Sequence, residues 1–100
     1  MYKLDFYDEV HSDLADLSKD ILDEVAYYFK NYKKDPYKYS QKLYNQGNLN
    51  LEGYRKTYIS NATYRIVFKI EENQIKIVEV VAVGKRDNLE VYKEAFNRIK

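Results

Sequence analysis

The 100-residue sequence predicts a single α+β domain over residues 1–100, with a largely antiparallel sheet of about four strands. Apolar residues recur at helical spacing through residues 9–33, which predicts two helices packed as a hairpin on one face of the sheet. Segments with strand-like alternation follow one another in residues 54–83, which predicts neighbouring strands joined by short turns. A short amphipathic helix is expected to end the domain.

The amino end is expected to form a strand followed by a helix. Residues 2–7 alternate apolar with polar side chains, which is typical of a short strand with one buried face. An apolar stripe runs through residues 9–17, and Asp8 stands where the N-cap of that helix would be. Asp13 falls off the stripe, so its carboxylate is expected in solvent.

A longer second helix is expected over residues 19–33, with Ser18 as its N-cap and Phe29 on its buried side. An Asp-Pro pair opens residues 35–43, which predicts the end of that helix and a short third helical turn. Residues 45–53 are rich in turn formers and are the best loop candidate in the chain.

Three strands are expected in the second half, at residues 54–59, 63–70 and 74–83. The first two alternate along their length, so each has two distinct faces. The third is apolar on both faces beyond Ile77, which is typical of a central strand.

A Gly-Lys-Arg sequence at residues 84–86 connects the last strand to the terminal helix. Asp87 and Glu90 have the spacing of a capping box, which predicts that the helix begins at Asp87. One stripe of this helix is apolar: Leu89, Tyr92, Phe96 and Ile99.

Composition excludes several classes of site. The chain has no cysteine, so it forms no disulfide and offers no thiolate to a metal or a substrate. Its one histidine, His11, is interpreted as a surface residue, and no metal site or cofactor is expected. The longest apolar run, residues 80–83, is too short to cross a membrane, and residues 1–10 lack the pattern of a signal peptide. We therefore expect a cytoplasmic protein without a membrane partner.

Charge is unevenly distributed, although the net charge is only +1. All four arginines lie after residue 53, and arginine suits planar, bidentate contacts with phosphate. Alternation puts Arg65 on the non-aromatic face of its strand and Arg86 at the end of the next, so the two side chains are expected to converge on one anion. Arg55 and Tyr92 complete the candidate site. Basic residues on exposed sheet faces are common, so composition alone makes this a weak phosphate site.

Several motifs of the second half resemble the RelE toxins of bacterial and archaeal toxin–antitoxin pairs. They are Tyr-Arg-Ile-Val-Phe at residues 64–68, Val-Gly-Lys-Arg at residues 83–86, then Tyr92 and Asn-Arg-Ile at residues 97–99. The first motif is shared with the wider RelE/ParE superfamily, whereas the second together with Tyr92 is more specific to the RelE branch. The resemblance implies a RelE-like fold. It also implies a toxin that cleaves messenger RNA in the ribosomal decoding site and is silenced by a cognate antitoxin.

The resemblance assigns a role to three candidate residues. Arg65 corresponds to the arginine that stabilises the phosphate, Arg86 to the arginine that assists the leaving oxygen, and Tyr92 to the tyrosine that stacks on or orients the substrate. Attack of a ribose 2′-hydroxyl on its phosphate develops negative charge, which fixed guanidinium groups stabilise. The implied enzyme is a metal-independent RNA endonuclease without a cofactor, whose partners are the antitoxin and the ribosome with messenger RNA in its decoding site.

Two positions are expected to depart from the family pattern. RelE toxins typically carry two lysines on the strand before Arg65, where this chain is aligned with Arg55 and Thr57, while Lys56 points to the opposite face. Arg55 keeps the charge but is a poor proton acceptor, and Thr57 loses the charge.

A ribosome-dependent endonuclease, attenuated or fully active, is the leading hypothesis. The alternatives are ParE-like inhibition of DNA gyrase without catalysis, and an inactive relative that only binds an antitoxin.

Overall fold

The computed structural model describes residues 1–100, which form a five-stranded sheet and three α-helices. In chain order these are β1 (Lys3–Phe6), α1 (Val10–Ala15), α2 (Lys19–Tyr32), β2 (Gln41–Lys42), β3 (Arg55–Ile59), β4 (Tyr64–Glu72), β5 (Lys76–Lys85) and α3 (Glu90–Ile99). The strand order is β1-β5-β4-β3-β2, and only the β1–β5 pair is parallel. The predicted α+β class and largely antiparallel sheet are confirmed. No helix has both the length and the apolar character needed to cross a membrane.

Helices α1 and α2 form the expected hairpin over one face of the sheet. α2 begins as predicted because the Ser18 hydroxyl accepts a hydrogen bond from the Ile21 N–H at 3.5 Å. Asp8 does not cap α1. The helix begins at Val10, and its N-cap residue is Glu9, whose side chain makes no capping hydrogen bond. The buried side chains between hairpin and sheet form one cluster: Val10, Val25, Tyr32, Ile59, Ile66, Phe68, Val78, Val80 and Val83.

Two aromatic rings fill the centre of this cluster. Tyr32 and Phe68 are completely buried, with ring centroids 4.5 Å apart. The Tyr32 hydroxyl donates to the Thr57 hydroxyl, which in turn donates to the Tyr39 carbonyl at 2.8 Å. Burial raises the pKa of the Tyr32 phenol. Phe29, predicted to be core, packs against the cluster but is only half-buried.

Helix α3 covers the opposite face of the sheet. The buried side chains on this side are Leu43, Leu51, Val67, Val81, Ala82, Val91, Tyr92 and Ala95. β5 contributes side chains to both clusters and contains a β-bulge. Val67 pairs with Ala82 and Phe68 pairs with Val80, so Val81 is an extra residue in β5. β5 is therefore buried on both faces, as its sequence predicts.

The prediction of a third helical turn through residue 43 is wrong. Residues 36–39 form turns, and β2 follows them. Gln41 and Lys42 pair with β3, so long-range strand pairing replaces the local helical preference of this segment. The loop predicted at residues 45–53 is confirmed.

The capping box predicted for the terminal helix is also wrong. A 3₁₀ turn occupies Asp87–Leu89, and α3 begins only at Glu90. Asn88 and Leu89 have φ of 54° and 58°, so the backbone does not enter a helix at Asp87. This conformation turns Leu89 toward the α3-side cluster, against which it packs. The apolar stripe predicted for α3 is confirmed, since Tyr92 is buried there and Phe96 and Ile99 pack beside it.

Asp13, predicted to lie in solvent, forms an ion pair with Arg98 of α3. The guanidinium donates to both carboxylate oxygens, at 2.7 and 2.9 Å, and to the Val81 carbonyl at 2.9 Å. The Asp13 carboxylate also accepts the Val83 N–H at 3.0 Å. This hydrogen bonding raises the pKa of the Arg98 guanidinium. Arg98 therefore joins α1, β5 and α3, and has a structural role.

Candidate active site

The candidate site lies on the α3 side of the sheet, where β3, β4 and β5 are in register. Tyr58 pairs with Arg65, and Arg65 pairs with Gly84, so these positions cross the sheet in one row. Lys56 pairs with Val67 in the next row. Side chains two residues apart on a strand share a face, so Lys56, Tyr58 and Arg65 project on the same side.

Arg65 is nearly buried, with 5% of its surface exposed, and is held from several directions. Its Nε donates to the Tyr92 hydroxyl at 3.2 Å, and its Nη1 donates to the Ala62 carbonyl. Its guanidinium carbon lies 4.0 Å from the centroid of the Tyr58 ring. Nη2 makes no hydrogen bond within the chain, and no fully buried polar side-chain atom lacks a partner. Nη2 is therefore the atom through which this fixed cation reaches the surface.

The carbonyl that holds Arg65 belongs to a left-handed turn. Residues 60–62 have φ of 52°, 53° and 69°. This region costs L-residues other than glycine roughly 1–2 kcal/mol each. The turn is held by Thr63, whose N–H donates to the Ser60 carbonyl at 3.1 Å, and by Glu24, whose Oε1 accepts the Ser60 N–H at 2.9 Å. Such strained backbone is typical of functional sites.

Arg86 stands at the end of β5, beside this turn. Its backbone N–H donates to the Thr63 carbonyl at 3.0 Å, which fixes the start of its side chain. It lies two residues after Gly84, so alternation returns its side chain to the face of Arg65. The guanidinium is exposed and makes no hydrogen bond or ion pair within the chain. Arg86 is thus an unengaged cation at the same end of the sheet as Arg65.

Tyr92 has a different position from the one expected of a stacking residue. The side chain is buried in the α3-side cluster, with 2% of the residue exposed. Its ring therefore has no free face for a nucleobase, so, of the two roles implied for Tyr92, stacking on the substrate does not fit this buried position. Its hydroxyl accepts the Nε–H of Arg65. The structure makes Tyr92 a residue that positions Arg65.

Arg55 is not part of the same cluster. It lies on the hairpin face of the sheet with Thr57, whose hydroxyl is hydrogen-bonded to the hydroxyl of Tyr32 on α2. Its Nε donates to the Ser40 hydroxyl at 2.7 Å, and its guanidinium lies 5.2 Å from the Tyr37 ring centroid. The sheet separates Arg55 and Thr57 from Arg65, so these two residues do not join Arg65 in one site. Arg55 instead ties the segment before β2 to β3.

Lys56 and Tyr58 are the β3 residues that face Arg65, and the sequence reasoning left both out. Lys56 Nζ lies 5.0 Å from the Tyr58 ring centroid. Hydrogen bonding from Lys56 lowers the pKa of the Tyr58 phenol, and the charges of Lys56, Arg65 and Arg86 add to this effect. The available signal was hairpin register: Ile59 pairs with Tyr64 across the turn, which places Tyr58 opposite Arg65.

Comparison with known proteins gives structural relatives only. No known protein-family model matches the sequence, and no curated protein matches it. The isolated E. coli RelE toxin is 24% identical and superposes with a TM-score of 0.69 over 100% of both chains. A mutant of E. coli RelE in the free state is 22% identical, with a TM-score of 0.73, covering 99% of this chain and 98% of the other.

A third structural relative is the RelBE2 toxin–antitoxin complex from Mycobacterium tuberculosis. It is 23% identical, with a TM-score of 0.67, over 85% of this chain and 98% of the matched chain. All three relatives superpose on most of this chain, with TM-scores of 0.67 to 0.73. The chain therefore has the fold of RelE toxins, as its motifs implied.

Proposed function

We propose that this RelE-like chain is the toxin of a toxin–antitoxin pair and cleaves messenger RNA on the ribosome, as a metal-independent endonuclease. The observation that carries the proposal is the guanidinium of Arg65, which is fixed through Nε and Nη1, leaves Nη2 free, and lies on the sheet face that also carries Lys56 and Arg86. Preorganised cations of this kind stabilise negative charge that develops on a phosphate during reaction. The resemblance of residues 83–86 and Tyr92 to the RelE branch favours RNA as the substrate.

In the proposed reaction, the ribose 2′-oxygen attacks the adjacent phosphorus. The bond from phosphorus to the 5′-oxygen of the next nucleotide breaks, which leaves a 2′,3′-cyclic phosphate and a 5′-hydroxyl. Arg65 stabilises the phosphoryl oxygens through Nη2, because its other donors are already engaged. Arg86 is free to approach the leaving oxygen, and Tyr92 acts on Arg65 rather than on the RNA.

A protein antitoxin and the ribosome are the partners in this proposal. Two of the structural relatives are toxin–antitoxin complexes, RelBE2 of M. tuberculosis and the intact E. coli RelBE complex. An amphipathic helix of the antitoxin would bind apolar surface of the toxin, as in other helix-in-groove complexes. With a net charge of +1, the toxin gains little long-range attraction to the ribosome, so contact depends on the local cations. The proposed location is the cytoplasm.

We expect induced expression of the wild-type chain in a bacterial host to arrest translation before DNA synthesis. Incorporation of labelled amino acids should fall first, because the proposed target is messenger RNA being translated. Labelled thymidine incorporation and plasmid supercoiling, measured in the same cultures, report the gyrase alternative. An initial loss of thymidine incorporation and supercoiling, with translation intact, would place the chain in the gyrase-inhibitor class. Arg86→Ala expressed to the same level is the matched control, and it should arrest neither process.

A further inference from the structure

The proposed cleavage requires a group that accepts the proton of the 2′-hydroxyl. Basic side chains dominate the site: Lys56, Arg65 and Arg86. The Tyr92 hydroxyl is buried against Arg65, and the only histidine, His11, is on α1 at the other face of the sheet. Cations are poor proton acceptors, so the site needs another base.

Tyr58 has the position that such a base needs. It stands on β3 directly opposite Arg65, and one side of its ring packs on the Arg65 guanidinium at 4.0 Å. Lys56, two residues earlier on the same face, brings its ammonium to 5.0 Å from the ring centroid. Tyr58 remains 37% exposed, in contrast to the buried Tyr92. A phosphate held by Arg65 Nη2 would therefore lie beside an accessible phenol oxygen.

We propose that Tyr58 is the general base of this cleavage and that its phenolate removes the proton of the attacking 2′-hydroxyl. This inference rests on the proposed function, which it extends by one catalytic residue. The cations that hold the phosphate would then also hold the base in its reactive, ionised form. The site would need no histidine and no carboxylate.

The electrostatic surroundings of Tyr58 favour the ionised phenol. Hydrogen bonding from Lys56 lowers the pKa of Tyr58 below its usual value, and the charges of Lys56 on β3, Arg65 on β4 and Arg86 after β5 lower it further. Partial burial acts in the opposite direction but does not overcome them, and no acidic residue contributes. A lower pKa increases the fraction of phenolate near neutral pH, which is the form that accepts a proton.

The proton balance of the step is complete with water as the only co-reactant. The 2′-hydroxyl proton passes to the Tyr58 phenolate as the 2′-oxygen bonds to phosphorus. The 5′-oxygen leaves with the electron pair of its bond to phosphorus, beside Arg86, and takes a proton from water. The hydroxide that remains takes the proton from Tyr58, which restores the phenolate.

The test is single-turnover cleavage of messenger RNA on programmed ribosomes, measured from about pH 6 to about pH 9. We expect the wild-type rate to rise with pH through this range as the Tyr58 phenolate forms. Tyr58→Phe should lower the rate by roughly 100-fold or more and abolish this rise. Tyr54→Phe, the same chemical change just before β3, is the control and should cleave at the wild-type rate. Ultraviolet difference titration of wild type against Tyr58→Phe gives the Tyr58 pKa independently of activity.

Replacement of Tyr58 by 3,5-difluorotyrosine distinguishes proton transfer from ring packing. Fluorination makes the phenol more acidic and preserves its shape, so the rise in rate should shift to lower pH. An unchanged pH profile in this variant would overturn the base assignment, as would Tyr58→Phe that cleaves at the wild-type rate. If the wild-type chain cleaves no messenger at any pH, the proposed function fails together with the inference. Wild-type cleavage with an unaffected Tyr58→Phe variant overturns the inference alone.

Discussion

Replacing Arg86 with alanine is expected to lower the rate of messenger cleavage on the ribosome by roughly 100-fold or more. The side chain makes no hydrogen bond or ion pair within the chain, so its loss removes no structural contact. In the proposed reaction, its contact with the leaving oxygen would strengthen only as that oxygen gains charge, so the rate should change far more than ribosome binding does. Single-turnover cleavage and ribosome co-sedimentation measure the two effects separately.

Lys85→Ala is the matched control for Arg86→Ala. Lys85 is also exposed, and its removal subtracts the same unit of charge from a net charge of +1. It pairs with Tyr64 on the hairpin face of the sheet, so its side chain alternates away from Arg65. Lys85→Ala should retain nearly full activity. Equal losses in the two variants would show that general charge, rather than the position of Arg86, is responsible.

Truncating Phe68 to alanine is expected to lower the free energy of unfolding by about 3–5 kcal/mol. Phe68 is completely buried on β4 and packs on Tyr32, so its removal leaves a cavity between α2 and the sheet. Domains of this size are stable by only about 5–15 kcal/mol, so the loss is a large share of the total. Urea denaturation followed by circular dichroism measures the change.

Phe6→Ala provides the comparison for Phe68→Ala. Phe6 is on edge strand β1, is 40% exposed, and meets Phe29 at 5.3 Å between ring centroids. Its removal should cost no more than about 1 kcal/mol, because the surroundings are open to water. A loss below about 1 kcal/mol in Phe68→Ala as well would contradict the position of the core.

The sequence predicted best where the structure depends on local periodicity. Ile66 and Phe68 face the hairpin as their alternation required, and Tyr92 faces the sheet as its helical stripe required. Ser18 caps α2 because its interaction is confined to one helical turn. In each case the evidence lies within a few residues of the element itself.

Long-range contacts account for the predictions that failed. Asp13 is paired with Arg98 at a separation of 85 residues, and nothing near Asp13 in the sequence indicates this partner. β2 forms because Gln41 and Lys42 pair with β3. This pairing outweighs the local preference for a helix start at the Asp-Pro pair. Asp87 fails as a cap because Leu89 packs into the core through a left-handed conformation.

The candidate site also depends on long-range contacts that the sequence does not reveal. Arg65 and Arg86 could be proposed from strand alternation alone, but their partner on β3 depends on the register of a hairpin. That register is set by residues 60–62, whose left-handed conformations are unusual for Ser60 and Ala62. Because the sequence alone does not reveal this turn, it suggests Arg55 and Thr57 as the β3 residues of the site and does not identify Tyr58, which pairs with Arg65.

Toe-printing of programmed ribosomes with purified protein shows whether and where the chain cleaves messenger RNA. We expect new messenger ends within the codon in the decoding site, formed by the wild-type chain, absent with Arg86→Ala, and absent when the same RNA is offered without ribosomes. Intact messenger after incubation with folded wild-type protein, or equal cleavage of free RNA, would contradict this expectation.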